Sequence, residues 1–353
     1  VKITKVTIWR EQIPLVTPYA IASHQFDQVD LIYLMLDSDR GLQGFGCASP
    51  GTFVTGETPA MSFAALEQAD DLLKGSPLSD YVSLLRRLRT TIGDCPAALA
   101  AVDMALHDLL AKFFDVPLVD LLGRSVAPLP TSITLGVDEP ELTGERARAF
   151  VDQGFRVLKL KCDGMLEADE ARINSVMQVL PEDGRLRLDP NQSYGFDDLV
   201  QLSRRIDLSR IDMFEQALPV GDKGQALLPE KLRRLSAADE SLHNEQHALR
   251  LAQEPLAFGI FNIKLMKSGG LLAAQKIASL AEIAHIDLMW GCNDESCVSI
   301  AAALHLALAC PSTQYLDLDG SFDLSRDALK GGFKLIDGHL MPLDKPGLGV
   351  ELA

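Results

Sequence analysis

From Thr131 onward the chain is punctuated by eight short apolar runs, and their spacing limits the fold more than any other feature. They end near Gly136, Lys161, Asp189, Glu215, Asp239, Lys264, Gly291 and Asp319, recurring every 24 to 28 residues with room for one helix in each gap. Eight strands separated by single helices is the count of a β/α barrel. A doubly wound sheet is the alternative, but it gathers its chemistry at one switch point. Here ionisable residues end most of the runs. The expectation is an α/β chain whose residues 126–325 form a TIM barrel of the (β/α)7β type.

The first 125 residues follow a different grammar. Lys2 to Leu15 and Leu31 to Gly46 read as strands, with a turn at Asp37 to Gly41, and therefore as an antiparallel sheet. Thr17 to Asp30 reads as a polar loop, and Ser49 to Thr58 as a second. Helical periodicity then covers roughly Pro59–Lys74, Ser79–Thr91 and Pro96–Phe114. A sheet followed by helices is an α+β unit, expected to cap the barrel. Strand character returns in Gly331 to Ala353, so residues 326–353 are expected to run back to the sheet of this first domain.

Composition excludes several classes of partner. A net charge of -16 argues against nucleic acid and against anionic membranes. The longest apolar run, Cys297 to Cys310, contains His305 and is too short to span a bilayer. Val1 to Leu15 alternates and carries charges, unlike a signal peptide. None of the six cysteines forms a CxxC pair, which points to reduced thiols in a cytoplasm. A homo-oligomer is compatible with all of this.

In such a barrel, function sits at the C-terminal ends of the strands. Those ends carry Lys159 and Lys161, then Asp189, Glu215, Asp239 and Lys264. Residues i and i+2 of a strand share a face, so the first two lysines stand side by side, and mutual repulsion is expected to lower the pKa of one of them. Taken alone, the pair also reads as a strand end snorkelling into solvent. The acids change that reading. Three carboxylates from neighbouring strands make a hard-oxygen site suited to Mg²⁺, for which Mn²⁺ can substitute. The second and sixth strands are opposite one another in a ring of eight. Lys161 and Lys264 would therefore meet a bound substrate from its two faces, one removing a proton α to a carboxylate and the other returning it. The metal and Lys159 would stabilise the enediolate between the two steps.

The segments Lys159-Leu-Lys161, Asp189-Pro-Asn191-Gln192, Phe214-Glu215-Gln216, Ala238-Asp239-Glu240-Ser241 and Asn262-Ile263-Lys264 resemble those of the muconate-lactonizing subgroup of the enolase superfamily. The resemblance covers essentially the whole chain. It implies a lysine base with Mg²⁺, and it separates the chain from the mandelate-racemase subgroup. The seventh strand end here is Trp290-Gly291-Cys292, without the histidine base of that subgroup. Asp317-Leu318-Asp319 at the eighth strand end is similar to the Asp-x-Asp with which dipeptide epimerases hold a substrate α-ammonium. Thr134 matches a family position that touches substrate. Lys267, three residues past Lys264, is expected in a loop or helix start rather than in the chemistry.

The resemblance thus implies a Mg²⁺-dependent dipeptide epimerase acting on a small-molecule L,L-dipeptide. An N-acylamino acid racemase or o-succinylbenzoate synthase on the same scaffold is the alternative, and a silent barrel serving as a binding module is a remote one. Epimerases acting on Ala-Glu commonly place an arginine in the first capping loop, where this chain has His24. After strand seven, Asp294 and Glu295 would make an acidic pocket wall. Asp294 alternatively reads as a helix cap. A hydrophobic or cationic dipeptide is therefore expected over Ala-Glu.

Overall fold

The computed structural model describes residues 1–21 and 24–353, with the side chains of 18–26 excluded. Eight strands form one sheet, in the order Ile133–Leu135, Val157–Lys161, Arg185–Asp189, Ile211–Glu215, Ser236–Ala238, Ile260–Ile263, Asp287–Gly291 and Thr313–Asp317. Every neighbouring pair is parallel. The ring closes where Thr131 bridges Leu316 in parallel and Ser132 N–H donates to the Leu316 carbonyl at 3.0 Å. The strand ends fall within two residues of the positions that periodicity indicates, because short, fully buried parallel strands need continuous apolar runs.

The barrel lumen is packed. Met213, Ala237, Ile260 and Met289 fill it as a separate apolar cluster. Arg187 lies among them, fully buried, with its guanidinium 5.3 Å from the Tyr315 ring and donating to Ser132 Oγ and the Leu316 carbonyl. A buried guanidinium is tolerable only when its donors are met, and Arg187 also reaches Asp212 at 3.5 Å.

The N-terminal unit is a three-stranded antiparallel sheet, Ile3–Ile21, His24–Ser38 and Gln43–Ala48. Its first hairpin is longer than expected. Thr17 to Asp30, read as a polar loop, is largely strand, with Tyr19 opposite Phe26 and Ile21 opposite His24. The stretch is rich in polar residues and lacks the apolar-polar alternation by which strands are recognised. Helices Pro59–Leu73, Tyr81–Ile92 and Pro96–Phe113 cover the sheet. The last is buried along nearly its whole length and packs so tightly on Gln43–Ala48 that a Cβ on Gly46 would overlap the Ala101 carbonyl.

The tail strands do not join the N-terminal sheet. Leu329–Gly331 pairs with Val350–Leu352, and Phe333–Ile336 with His339–Pro342. The tail reaches the N-terminal helices instead, through Leu118 N–H to the Gly347 carbonyl at 2.8 Å and Leu348 N–H to Asp108 Oδ1 at 2.7 Å. Buried Asp108 also accepts from Phe45 N–H at 2.9 Å and Lys112 Nζ at 2.7 Å, so one carboxylate ties sheet, helix and tail together. The segment that does reach the sheet edge comes directly after the eighth barrel strand. Leu324 bridges Leu15, and Val16 N–H donates to the Asp323 carbonyl at 2.7 Å. Among the described residues, all six cysteines are free thiols and no helix is long and apolar enough to cross a membrane.

Replacing Gly46 with Ala forces the sheet off helix Pro96–Phe113. It should lower unfolding free energy by about 3 kcal/mol, the scale of an overpacked core. Urea denaturation measures this, and an unchanged midpoint would show that the contact is softer than the structure describes.

Candidate active site

The side chains that end the barrel strands converge because all eight strands run the same way and the ring places their C-terminal ends together. Lys159 stands at the centre. Its ammonium is 3.0 Å from Asp189, 2.7 Å from Glu215 and 2.8 Å from Asp317, linking strands two, three, four and eight. Burial opposes the charge on this lysine, but Asp189, Asp317 and Glu215 outweigh burial and push its pKa well above the ordinary value. The expectation that the lysine pair would shed a proton through mutual repulsion is therefore corrected for Lys159, because carboxylates, not the neighbouring amine, dominate its surroundings. Lys161, one turn of the pleat further out, donates to Asp189 Oδ2 at 2.6 Å and to Asn191 Oδ1 at 3.0 Å.

On the opposite side of the ring, Lys264 follows strand six and donates to Asp239 Oδ2 at 2.9 Å. Burial again opposes its charge, and Asp239 overrides it, so its pKa is raised as well. Lys267 lies in the short helix Leu265–Ser268, but it is no peripheral residue. It is buried, and its Nζ donates to the Asp239 carbonyl at 2.7 Å, to the Asn262 carbonyl at 3.2 Å and to Asp239 Oδ1.

The three predicted metal ligands are all buried. Burial would raise the pKa of Asp189, but Lys159 and Lys161 hold it down at about 2. Asp239 is likewise depressed, with Lys264 and Lys267 overcoming its burial. Glu215 goes the other way, pushed up to about 7 by burial and the charge of Asp189 against the pull of Lys159. Among the described residues no three acids close on a single point. Asp189 and Glu215 close on Lys159, while Asp239 is turned onto Lys264 and Lys267. The donor set still fits a hard divalent cation: three carboxylates on consecutive strand ends, screened from water, with an acid excess expressed at Glu215.

Several supporting residues had no role in the sequence reading. Asn262 Nδ2 donates to Glu215 Oε1 at 2.8 Å. Gln216 Oε1 accepts from Asp239 N–H at 3.1 Å and Ser241 N–H at 3.0 Å, fixing the strand-five end from strand four. Ser132 Oγ donates to Asp317 Oδ1 at 2.5 Å. Gln216 also stands out by conformation. It directly follows a strand end in left-handed backbone, with φ of 37°, and Asn191, two residues past the end of strand three, does the same with φ of 44°, a region where strained turns at functional sites concentrate.

A cavity of about 450 Å³ opens above these groups. Lys159, Lys161, Lys264, Thr134, Asp317 and Asp319 all line it, so the two outer lysines face one space from diametrically opposite strands. Asp319 Oδ2 accepts from Thr134 N–H at 2.9 Å and Thr134 Oγ1 at 2.8 Å. Burial, then the neighbouring Asp317, push the Asp319 pKa up to about 7. Asp317 itself is lowered, since Lys159 outweighs its burial.

The residues expected to set specificity divide. Asp294 lines the cavity. It does not cap the following helix, Cys297–Ala309, whose N-cap is Ser296. Glu295 is not among the residues that line the cavity; it is buried and accepts from Asn293 N–H at 2.8 Å, burial pushing its pKa up to about 8. The side chain of His24 lies outside the described residues.

A barrel mouth with two opposed lysines over buried acids, roofed by an α+β unit, defines the class of capped β/α-barrel enzymes that work by acid-base chemistry. Residues 3–123 match the mandelate racemase/muconate lactonizing enzyme N-terminal domain and 143–353 the enolase C-terminal domain-like family, so the chain belongs to the enolase superfamily. It is 48% identical to the L-Lys-D/L-Arg epimerase of Methylococcus capsulatus, with 99% of each chain covered. It is 33% identical to the hydrophobic dipeptide epimerase of Enterococcus faecalis, again over 99% of each. Among solved structures, a dipeptide epimerase from Methylococcus capsulatus, complexed with Mg and the dipeptide L-Arg-D-Lys, superposes with a TM-score of 0.97 at 47% identity and 99% coverage of both chains.

Lys267→Met removes two hydrogen bonds to Asp239 and one to the Asn262 carbonyl, and strips Asp239 of one of its two cations. Breaking a buried pair on one side costs about 3 kcal/mol. The loss should appear in urea denaturation; a variant as stable as the parent would show that Lys267 is dispensable to the fold.

Proposed function

We propose that the chain is a Mg²⁺-dependent dipeptide epimerase that inverts the α-carbon of the C-terminal residue of an L,L-dipeptide. The observation that carries this reading is the pair Lys161 and Lys264, on opposite strands and facing one cavity, with Asp317 and Asp319 on its rim. Proton transfer on and off one carbon with inversion needs an acid and a base on its two faces. Whichever of the two lysines is neutral takes the α-proton. The charged one gives its proton to the opposite face.

Asp189, Glu215 and Asp239 would hold the Mg²⁺, which supplies positive charge that acidifies a C–H beside a carboxylate. Lys159 adds a fixed ammonium beside the same acids. Asp317 and Asp319 receive the dipeptide's α-ammonium by charge-assisted hydrogen bonds, and Thr134 holds Asp319 in place for that contact. An ammonium answers the raised pKa of Asp319 by supplying the opposite charge. A substrate without an α-ammonium has no such charge to offer, which disfavours the N-acylamino acid racemase and o-succinylbenzoate synthase readings. A cationic dipeptide is preferred over Ala-Glu. The acidic cavity wall at Asp294 and the relative that carries the name L-Lys-D/L-Arg epimerase support that preference.

Incubation of L,L-dipeptides with the protein and Mg²⁺ in D₂O should place one deuterium at the C-terminal residue's α-carbon and invert it. Lys161→Ala and Lys264→Ala should each cut epimerisation by about a thousandfold. Chelation should abolish turnover, and Mg²⁺ should restore it. Faster turnover of N-succinyl amino acids than of any dipeptide would overturn the assignment.

Replacing both Asp317 and Asp319 with Asn should reduce kcat/KM for dipeptides by about a hundredfold. An unaffected kcat/KM would remove the ammonium site from the mechanism.

A further inference from the structure

The cavity does not end at Asp319. Four residues further along, the chain runs against the edge of the N-terminal sheet, and Asp323 lines the same cavity together with Phe322 and Thr17. Two backbone contacts fix this turn. Phe322 N–H donates to the Asp319 carbonyl at 2.8 Å, and Val16 N–H donates to the Asp323 carbonyl at 2.7 Å. The position of Asp323 is thus set by the seam between barrel and cap.

Its side chain is in an unusual situation for this site. Asp189, Asp239, Asp317 and Asp319 each accept hydrogen bonds from a lysine, a hydroxyl or a backbone N–H. The carboxylate of Asp323 has no hydrogen bond or ion pair among the described residues, although it is half-buried, and its pKa is raised by that burial alone. A partly desolvated acid without a partner, in the wall of a substrate cavity, is a receptor for a cation. Beside it the wall is apolar, made by Phe150, Phe155, Phe322 and Leu335. That combination suits a side chain with a methylene stem and a charged head. Arg146, which also lines the cavity, is paired with Asp138 at 2.7 Å, which offsets its charge.

Placement decides which end of the substrate is read. Asp323 lies close enough to Asp319 for its charge to act on that carboxylate, and Asp319 belongs to the pair assigned to the α-ammonium. We propose that Asp323 is a specificity-determining residue that receives the cationic side chain of the dipeptide's N-terminal residue. This rests on the dipeptide reading above. The stem of a lysine or arginine side chain runs along Phe322, and its head meets Asp323 at the seam with the cap.

The test uses three dipeptides with one reacting centre, L-Lys-L-Ala, L-Leu-L-Ala and L-Glu-L-Ala, followed by deuterium incorporation at the alanine α-carbon. Asp323→Asn should lower the kcat/KM ratio of the Lys dipeptide to the Leu dipeptide by about ten- to hundredfold, chiefly through KM. Asp323→Lys should invert the order of the Lys and Glu dipeptides, a gain that a merely structural role would not produce. Asp323→Ser serves in place of either variant that does not fold, with the Lys-to-Leu ratio as its readout. A Lys-to-Leu ratio that stays within about twofold of the parent in the neutral variants overturns the proposal, as does an equal loss on all three dipeptides. If the parent protein labels none of the three, the dipeptide reading fails. If the parent labels them and the ratio survives the substitution, only the assignment of Asp323 fails.

Discussion

The barrel mouth depends on one buried ammonium. Lys159 Nζ sits within 3.0 Å of Asp189, Glu215 and Asp317, and all four side chains are buried. Taking a charge out of water costs several kcal/mol, and the cost is met only by close opposite charges with good geometry. One lysine placed among three carboxylates from strands three, four and eight meets that condition for all of them at once. Its removal would take the shared cation from three acids at once, leaving Asp189 with Lys161 and Asp317 with the Ser132 hydroxyl.

The other charges are arranged outward from this centre. Asp239 is balanced separately by Lys264 and Lys267, and Lys161 leans on Asp189 and Asn191 at the cavity edge. The result is a graded site: depressed acids where lysines crowd them, and two acids, Glu215 and Asp319, whose pKa values are pushed to about 7. In both, burial and a neighbouring aspartate outweigh the pull of Lys159. One lies among the acids suited to a divalent metal, and the other on the rim where a substrate ammonium would enter. Electrostatic preorganisation of this kind requires rigid support, which Asn262, Gln216 and Ser132 provide through buried hydrogen bonds.

The cap completes the cavity by a few specific seams. Ser49 Oγ donates to the Asp294 carbonyl at 2.6 Å, and Val16 holds the turn at Asp323. The apolar core that contains the N-terminal sheet also contains the helices of the barrel's second half, Leu271–Ile283 and Cys297–Ala309. A substrate bound between the two units is therefore read by both. The first hairpin and the turn after strand eight approach the cavity together, although they are far apart in the chain.

The amino-acid sequence determined the eight-strand count, the strand ends and the identity of the acids and lysines they carry. Each of those follows from a local pattern: an apolar run of strand length, a fixed interval, a charged residue where the run stops. It did not reveal the strand in Thr17 to Asp30, where the residues show no apolar-polar alternation, or the burial of Glu295 outside the cavity lining, where it accepts from Asn293 N–H. Nor did it reveal the protonation balance. Two lysines adjacent in a strand suggest repulsion, yet Lys159 is held charged by acids up to 158 residues away in the chain. The importance of Lys267 was hidden for the same reason. Sequence spacing fixes which side chains share a face, but the sign and size of the field at an ionisable group are sums over everything that folding brings within a few ångströms. Only the closed ring decides those sums.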